Sequence, residues 1–405
     1  MRWRLPLGPS RNFRLLWFSV VVSGLGDGMR YVALPLLASH LTSDPRKIAL
    51  VFLADQLPWP LVMVAAGVTA DRFDRRRIMV ALDSARVLVA AWLAVTVGLE
   101  HVTLAVICIA TALLDLGQRF YLGAAAGIVP MTVQRLERDR ANAALAGGSV
   151  TATLLLGNPL GALLFDMHPV LPFGIDALSF LCSAVLIFSI RGRFRAERPP
   201  ETTGPVGHLV RRQFTDGLRA LWKQPLLRRI TLLSALYDMV GMSQVAIGIL
   251  FARTELGLSD TGFGLLVATF GLGALIGSVL VGRWANRFGR ERLLLGSLVI
   301  AAVASLGVGL VDAWLPAGVF VLLYGASATA WRVNATTVRQ NLTPNRLLGR
   351  VTMTQKLLVR CGAIVGTVLG GLVAHHFGLR TVFHVGTVLL LAGVVAGGRR
   401  LVAGS

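Results

Sequence analysis

Asp27 and Arg30 stand one helical turn apart inside the apolar stretch LLWFSVVVSGLGDGMRYVALPLLA, and Asp115 and Arg119 stand one turn apart inside another. At spacings of three and four residues such side chains share a helix face and can pair. Asp55 precedes Pro58 and Pro60, which bend a helix or hold it open. Tyr237 and Asp238 lie in a later apolar run with Gln244 two turns on, and Arg332 and Asn334 in another. Burial favours the neutral form of a carboxyl and a neighbouring cation favours the ionised form. An acid placed between these influences can take up a proton facing one side of a barrier and release it facing the other. Asp27, Asp55, Asp115 and Asp238 are the eligible groups, and Asp27 and Asp115 come first because each has a basic neighbour. Asp83 with Arg86 reads as a structural pair, and Asp176 as a cap at the start of its helix.

Other chemistry is not indicated. The chain has no HExxH, no Gly-rich phosphate loop with its Lys, no GxSxG and no paired-aspartate metal motif, so an enzyme is not expected. Without a nucleotide-binding segment, an ATP-driven pump is not expected either. Cys108, Cys182 and Cys361 all fall in apolar runs, odd in number and without CxxC spacing, and read as small buried hydrophobes. No metal and no cofactor is expected.

The elements that must carry these residues follow from composition. Of 405 residues, 55% are hydrophobic and only 15% charged, with a mean hydropathy of +0.69. A soluble domain is closer to a quarter charged, so a bilayer is the solvent that fits. The net charge of +20 sits in short clusters between apolar runs, which is how membrane topology is set and not how nucleic acid is bound. A spanning helix needs about 20 apolar residues. The runs 14–38, 48–70, 78–99, 102–126, 143–165, 172–190, 229–252, 262–284, 292–311, 315–335, 352–374 and 380–398 predict twelve. The first follows a basic start and is too long for a signal-peptide core, so it reads as an uncleaved membrane helix.

One set of loops carries Arg2, Arg4, Arg11 and Arg14, then Arg72 to Arg77, then Arg135, Arg138 and Arg140. It goes on through the segment from Arg191 to Arg229, Arg283 to Arg292, Arg339, Arg346 and Arg350, and ends with Arg399 and Arg400. The alternate set holds only Arg46, Lys47, Arg253 and Arg380. The positive-inside rule makes the first set and both termini cytoplasmic. The polar stretch RGRFRAERPPETTGPVGHLVRRQF divides residues 1–190 from 229–405 and leaves 191–228 as a cytoplasmic linker. Gln213 to Lys223 reads as a short amphipathic helix on the membrane surface or in solvent.

The two halves repeat. Gly67-x-x-Ala70-Asp71-Arg72-Phe73-x-Arg75-x-Arg77 matches Gly282-x-x-Ala285-Asn286-Arg287-Phe288-x-Arg290-x-Arg292. Gln134-x-Leu136-x-x-x-Arg140 matches Gln340-x-Leu342-x-x-x-Arg346, and GNPLGALL from Gly157 matches GTVLGGLV from Gly366. All three offsets are about 210 residues, which predicts two parallel six-helix bundles around a central site.

On these motifs the chain resembles the major facilitator superfamily of transporters over nearly its whole length. The family's loop signature between the second and third helices is matched by Gly67, Asp71, Arg72, Arg75 and Arg76. Asp74 departs from the family Gly, and in the second copy, with Gly282, Arg287 and Arg290, Asn286 replaces the signature Asp. Gly157, Pro159 and Gly161, with Gly366 and Gly370 in the second half, resemble the glycine motif of antiporters. NFRLLWFSVVVSGLGDGM and IDALSF resemble the branch of enterobactin and macrolide exporters.

The resemblance implies an all-α membrane protein of twelve spans and a gating role for the loop charges, Asp71 above all. It also implies a secondary transporter in a bacterial cytoplasmic membrane, most simply a proton-coupled exporter of a small amphiphilic molecule. The expected partners are that substrate, protons and membrane lipids, with the chain acting as a monomer. A lipid or lysolipid translocator and a non-transporting sensor are the alternatives.

Overall fold

The computed structural model describes residues 10–59, 74–134, 137–192, 194 and 206–401, and among them every regular element is helical. The first unit contains α1 (Arg11–Leu41), α3 (Arg75–Gly98), α4 (Leu104–Thr132), α5 (Arg138–Met167) and α6 (Leu171–Phe188). The second contains α7 (Val206–Lys223), α8 (Pro225–Thr254), α9 (Asp260–Phe288), α10 (Arg290–Leu310), α11 (Trp314–Leu342), α12 (Asn345–Phe377) and α13 (Leu379–Leu401). Helix α2 (Pro45–Gln56) starts the second predicted span; the rest of that span falls in 60–73, outside the described residues. So do Gly67, Asp71 and Arg72. Among the described residues, eleven helices are long and apolar enough to cross a membrane.

Chain contacts do not divide the molecule at the linker alone. Thr42–Leu53 belongs with the second unit, while Met1–Leu41 and Ala54–Thr203 make up the first. The start of α2 lies against the end of α12, where any side chain at Gly371 would meet Ala49 and Arg46. His375 Nδ1 approaches Asp44 Oδ1 at 3.6 Å there. Hydrogen bonds from Arg46 pull the Asp44 carboxyl down to about 2.

Within each unit the helices pack in the same pattern. Helix α1 packs on α5 and α6, and α3 on α4 and α6; α8 packs on α12 and α13, and α10 on α11 and α13. Small residues permit the closest of these contacts, as close packing in lipid requires. Gly362, Gly366 and Gly370 on α12 lie directly against the backbone of Ala235, Met239 and Ser243 on α8. Large apolar side chains cover the outside, such as Leu88, Val95, Leu181 and Val279. Cys182 and Cys361 lie on this exposed surface rather than in the core, because their helices turn those positions outward.

Local chemistry sets the helix ends. Asp74 caps α3, accepting from the backbone N–H of Arg76 at 3.0 Å and Arg77 at 3.3 Å, and its other oxygen accepts from Phe194 N–H at 3.0 Å. A Gly at 74 could supply none of these bonds. In the second copy the chain turns at Gly289 with φ +83°, which suits only glycine. Helix α7 presses Gly217 and the buried Leu221 onto the α12 side and pairs Asp216 with Arg350 at 2.8 Å, leaving Arg219, Trp222 and Lys223 exposed.

The glycine contacts predict opposite results at two positions. Gly366→Leu forces α8 and α12 apart and should cost about 1–3 kcal/mol as an overpacked contact does. Gly282 has no neighbour within 4 Å of an added Cβ, so Gly282→Ala should hold or raise stability by up to about 1 kcal/mol. Thermal unfolding of the purified protein in detergent compares the two.

Candidate functional site

Asp27 and Arg30 do share a face of α1, but they do not form an isolated pair. Arg30 Nη2 donates to Asp27 Oδ1 at 2.8 Å, and Arg30 Nε donates to Asp176 Oδ2 on α6 at 3.0 Å. Arg86 on α3 donates through Nη2 to both oxygens of Asp27, at 2.8 and 3.0 Å, and through Nη1 to Asp83 at 3.1 Å. Five ionisable side chains from α1, α3 and α6 thus form one connected network. Asp83 and Asp176 are fully buried and Arg86 is 1% exposed. The Arg86 guanidinium also lies over the Phe180 ring, 3.7 Å from its centre, so the ring face covers a cation that water does not reach.

A chain of hydroxyls extends the network. Ser183 Oγ donates to Asp83 Oδ2 at 2.5 Å. Tyr121 OH lies 3.3 Å from Ser183 Oγ and 2.5 Å from Ser19 Oγ. With one proton per hydroxyl, Ser19 to Tyr121 to Ser183 forms a continuous line of donors ending on the Asp83 carboxylate.

These contacts correct two sequence expectations. Asp176 does not cap α6; it lies inside the helix, with its side chain against Arg30. Asp83 and Arg86 are not a self-contained pair, since Arg86 binds Asp27 across 59 residues of chain. Spacing along one helix cannot reveal either contact, because Arg30 reaches Asp176 from α1 to α6 and Arg86 reaches Asp27 from α3 to α1.

Helix α5 holds α1 in place. Its Thr151–Gly157 segment is a π-helical turn, followed by Pro159, which has no N–H to continue the ladder. Gly157 lies against Leu25 and Gly28, and Gly161 against Met29. Gly157 and Gly161 therefore pack on the very turn of α1 that carries Asp27 and Arg30. Thr153 Oγ1 adds a bond to Gly24 O at 2.9 Å.

The other predicted residues fall into separate places. Asp115 and Arg119 pair on α4, Nη2 to Oδ1 at 2.7 Å and Nε to Oδ2 at 3.1 Å. Asp55 interacts electrostatically with Asp115 and with Arg30. In the second unit Tyr237 stacks on Trp331 with centres 5.8 Å apart and bonds Ser327 at 2.8 Å. Asp238 lies within electrostatic reach of Arg332 and Arg360, and Arg332 is exposed. Arg75 and Arg290, equivalent in the repeated motif, do equivalent work. Arg75 Nη1 donates to Gly127 O on α4 at 2.6 Å, and Arg290 Nη1 donates to Asn334 on α11 at 3.3 Å. Arg76 donates to Phe188 O and lies over the Phe188 ring. Arg287 sits over the ring of Phe288, and Gly282 faces open space.

Among the described residues, the second unit shows no counterpart of the ion network. Helices α8, α10 and α13, packed as α1, α3 and α6 are, are bridged by Gln244 Nε2 donating to Ser305 Oγ at 2.6 Å and Ser305 donating to Phe383 O at 2.9 Å. All three of these groups are neutral.

Comparison with solved structures defines the fold. A bacterial homologue of the human lysosomal transporter Spinster, in an inward-facing and unoccupied conformation, has a TM-score of 0.74 at 15% identity, covering 96% of each chain. A mutant of the nucleoside transporter NupG has 0.76 at 10% identity, covering 95% of this chain and 99% of that one. The chain has the all-helical fold of these membrane transporters. Within that class, a family model described as transmembrane secretion effector matches residues 6–403, and the chain belongs to this family. Multidrug efflux pump Tap of Mycolicibacterium fortuitum is 25% identical over 403 residues, covering 94% of both chains. Multidrug resistance protein MdtG of Escherichia coli O17:K52:H18 (strain UMN026 / ExPEC) is 24% identical over 402 residues, covering 96% of this chain and 93% of that one.

Arg86 is the hub of the network, and its loss should be the most damaging single change there. Arg86→Leu strands Asp27 and Asp83 in the membrane and should cost about 3–5 kcal/mol, as breaking a buried pair from one side does. Arg86→Lys should rescue little, since an ammonium cannot serve two carboxylates and lie flat on Phe180. Unfolding midpoints of the two variants against the parent protein check this.

Proposed function

We propose that this transporter exports small amphiphilic molecules, in the class of drugs, antibiotics, siderophores or other secondary metabolites, by exchanging them for protons. The observation that carries the proton part is the network itself. Ionisable side chains at membrane depth are costly and are retained where they do something, and here they join three helices of one unit while the matching helices of the other are joined by neutral groups. The named relatives support export of drugs as the activity. The narrower likeness to enterobactin and macrolide exporters supports a natural product as one such substrate.

In this reading two six-helix bundles, within 1–190 and 229–405 and joined by the linker at 191–228, give the substrate alternating access to the two sides of the membrane. The protein works as a monomer in a bacterial cytoplasmic membrane, with both termini and the basic loops inside. Asp27 and Arg30 in the network, and Asp115 with Arg119 beside Asp55, are the groups that couple transport to protons. Tyr237, Asp238 and Arg332 offer the second unit's contacts to substrate. Asp71 with Arg72, Arg75 and Arg76, and Gly282 with Arg287 and Arg290, form the paired gating loops. Gly157, Pro159, Gly161, Gly366 and Gly370 let α5 and α12 move as packed rods against α1 and α8.

In proteoliposomes carrying a fluorescent amphiphilic dye, a pH gradient of about one unit supports about a tenfold dye gradient for one-proton exchange. Asp27→Asn should abolish that accumulation. Undiminished pH-driven accumulation with Asp27, Asp55, Asp115 and Asp238 all replaced by Asn would refute coupling at the groups named here. In a separate arm, Asp71→Asn should leave dye binding intact and slow turnover; an unchanged turnover number removes Asp71 from the gate.

A further inference from the structure

The network carries three carboxyls, Asp27, Asp83 and Asp176, against two guanidiniums, Arg30 and Arg86. Fully ionised, it holds an unbalanced negative charge among helices that cross the bilayer. A single proton makes it neutral. The hydrogen bonds say which carboxyl is free to take that proton. Asp27 receives three guanidinium bonds spread over both oxygens. Asp83 receives Arg86 on Oδ1 and the terminal donor of the Ser19–Tyr121–Ser183 line on Oδ2. All four of these oxygens already accept a proton-bearing group, the pattern of an ionised carboxylate.

Asp176 differs. Its Oδ2 accepts from Arg30 Nε. Its Oδ1 has only Ser179 near it, at 3.5 Å, and the single Ser179 hydroxyl proton is directed to the Asp176 backbone carbonyl at 2.7 Å. Oδ1 is packed against Gly26 of α1, where even a Cβ would collide with it and with Ser179. Among the described residues it is the one carboxyl oxygen of the network without a committed donor, and the side chain is fully buried.

We propose that Asp176 Oδ1 is the resident proton-binding site of this protein, held by α6 and lined by Gly26 and Ser179, with Asp27 and Asp83 kept ionised by their arginines. The site deepens the proton-exchange reading above and rests on it for its role in transport, but not for its existence. The charged groups that act on it are Arg30 and Asp27 from α1 and Arg86 from α3, the last also paired with Asp83. Asp55 of α2 and Asp115 of α4 act on Arg30. Proton binding converts Asp176 from carboxylate to carboxylic acid, with no other bond made or broken. Departure of the proton leaves Asp176 as a second full counter-ion for Arg30, which loosens the claim of Arg30 on Asp27.

Infrared difference spectroscopy of the full-length protein in lipid, between acidic and alkaline buffer, tests the site without any substrate. The parent protein should show the C=O stretch of a protonated carboxyl. Asp176→Asn should remove it, because the amide is the isostere of the protonated acid and the charge count is already neutral. Charge-conserving changes locate the proton. Asp176→Glu should shift the band, and Asp27→Glu and Asp83→Glu should leave its position unchanged. A band that persists in Asp176→Asn, or shifts in Asp27→Glu or Asp83→Glu, overturns the proposal. If the Asp176 variants do not fold, the two other Glu variants decide: no shift in both sustains it and a shift in either overturns it. In the dye assay Asp176→Asn should collapse the accumulation ratio from about tenfold to near unity, the full factor one proton supplies. A parent protein with the Asp176 band and no response to a pH gradient keeps the site and sinks the coupling.

Discussion

A guanidinium carried into a bilayer has to bring its counter-ions with it. Arg86 illustrates the constraint: it is almost wholly buried, and its geometry dictates that Asp27 approach from α1, Asp83 from its own helix and Phe180 from α6. Everything around it serves that arrangement. Gly26 and Gly28 thin the surface of α1 so that α6 and α5 can approach, and the π-helical turn of α5 lets Gly157 and Gly161 settle on the same stretch. Gly117 on α4 leaves room for the Arg86 stem, since a Cβ there would strike Cγ. A run of unrelated glycines thereby becomes a single device for housing one charge.

The two units share a packing plan and differ in polarity. Matching their glycine contacts sets Arg30 against Gln244 and Asp27 against Gly241. An amide and a hydroxyl suffice to tie α8, α10 and α13 together. The fold therefore does not require charge at this position, and buried ion pairs in general add little stability over neutral packing. That the first unit keeps five ionisable groups there argues for work other than holding helices together.

The spanning helices and the repeat of their packing were legible because each rests on local sequence: length of apolar run and recurrence of a motif. Asp27 with Arg30 and Asp115 with Arg119 were legible for the same reason, as neighbours on one helix face. The reach of Arg30 to Asp176, across 146 residues, was not. It depends on which faces of α1 and α6 meet, and hydropathy is nearly uniform around helices that lie in lipid. One signal was available. Aligning the halves shows Arg30 and Asp27 lost in the second copy, which marks them as dispensable for folding. Asp74, a mismatch when judged by motif, is intelligible once its bonds to Arg76, Arg77 and Phe194 are seen.

The odd number of acids has an electrical meaning. Loaded with its proton the network is neutral; emptied, it carries one negative charge through whatever fraction of the membrane it traverses. Moving one elementary charge across a potential of 100 mV involves about 2.3 kcal/mol. Voltage would thus act on the emptied network and not on the loaded one, biasing where the protein waits between cycles.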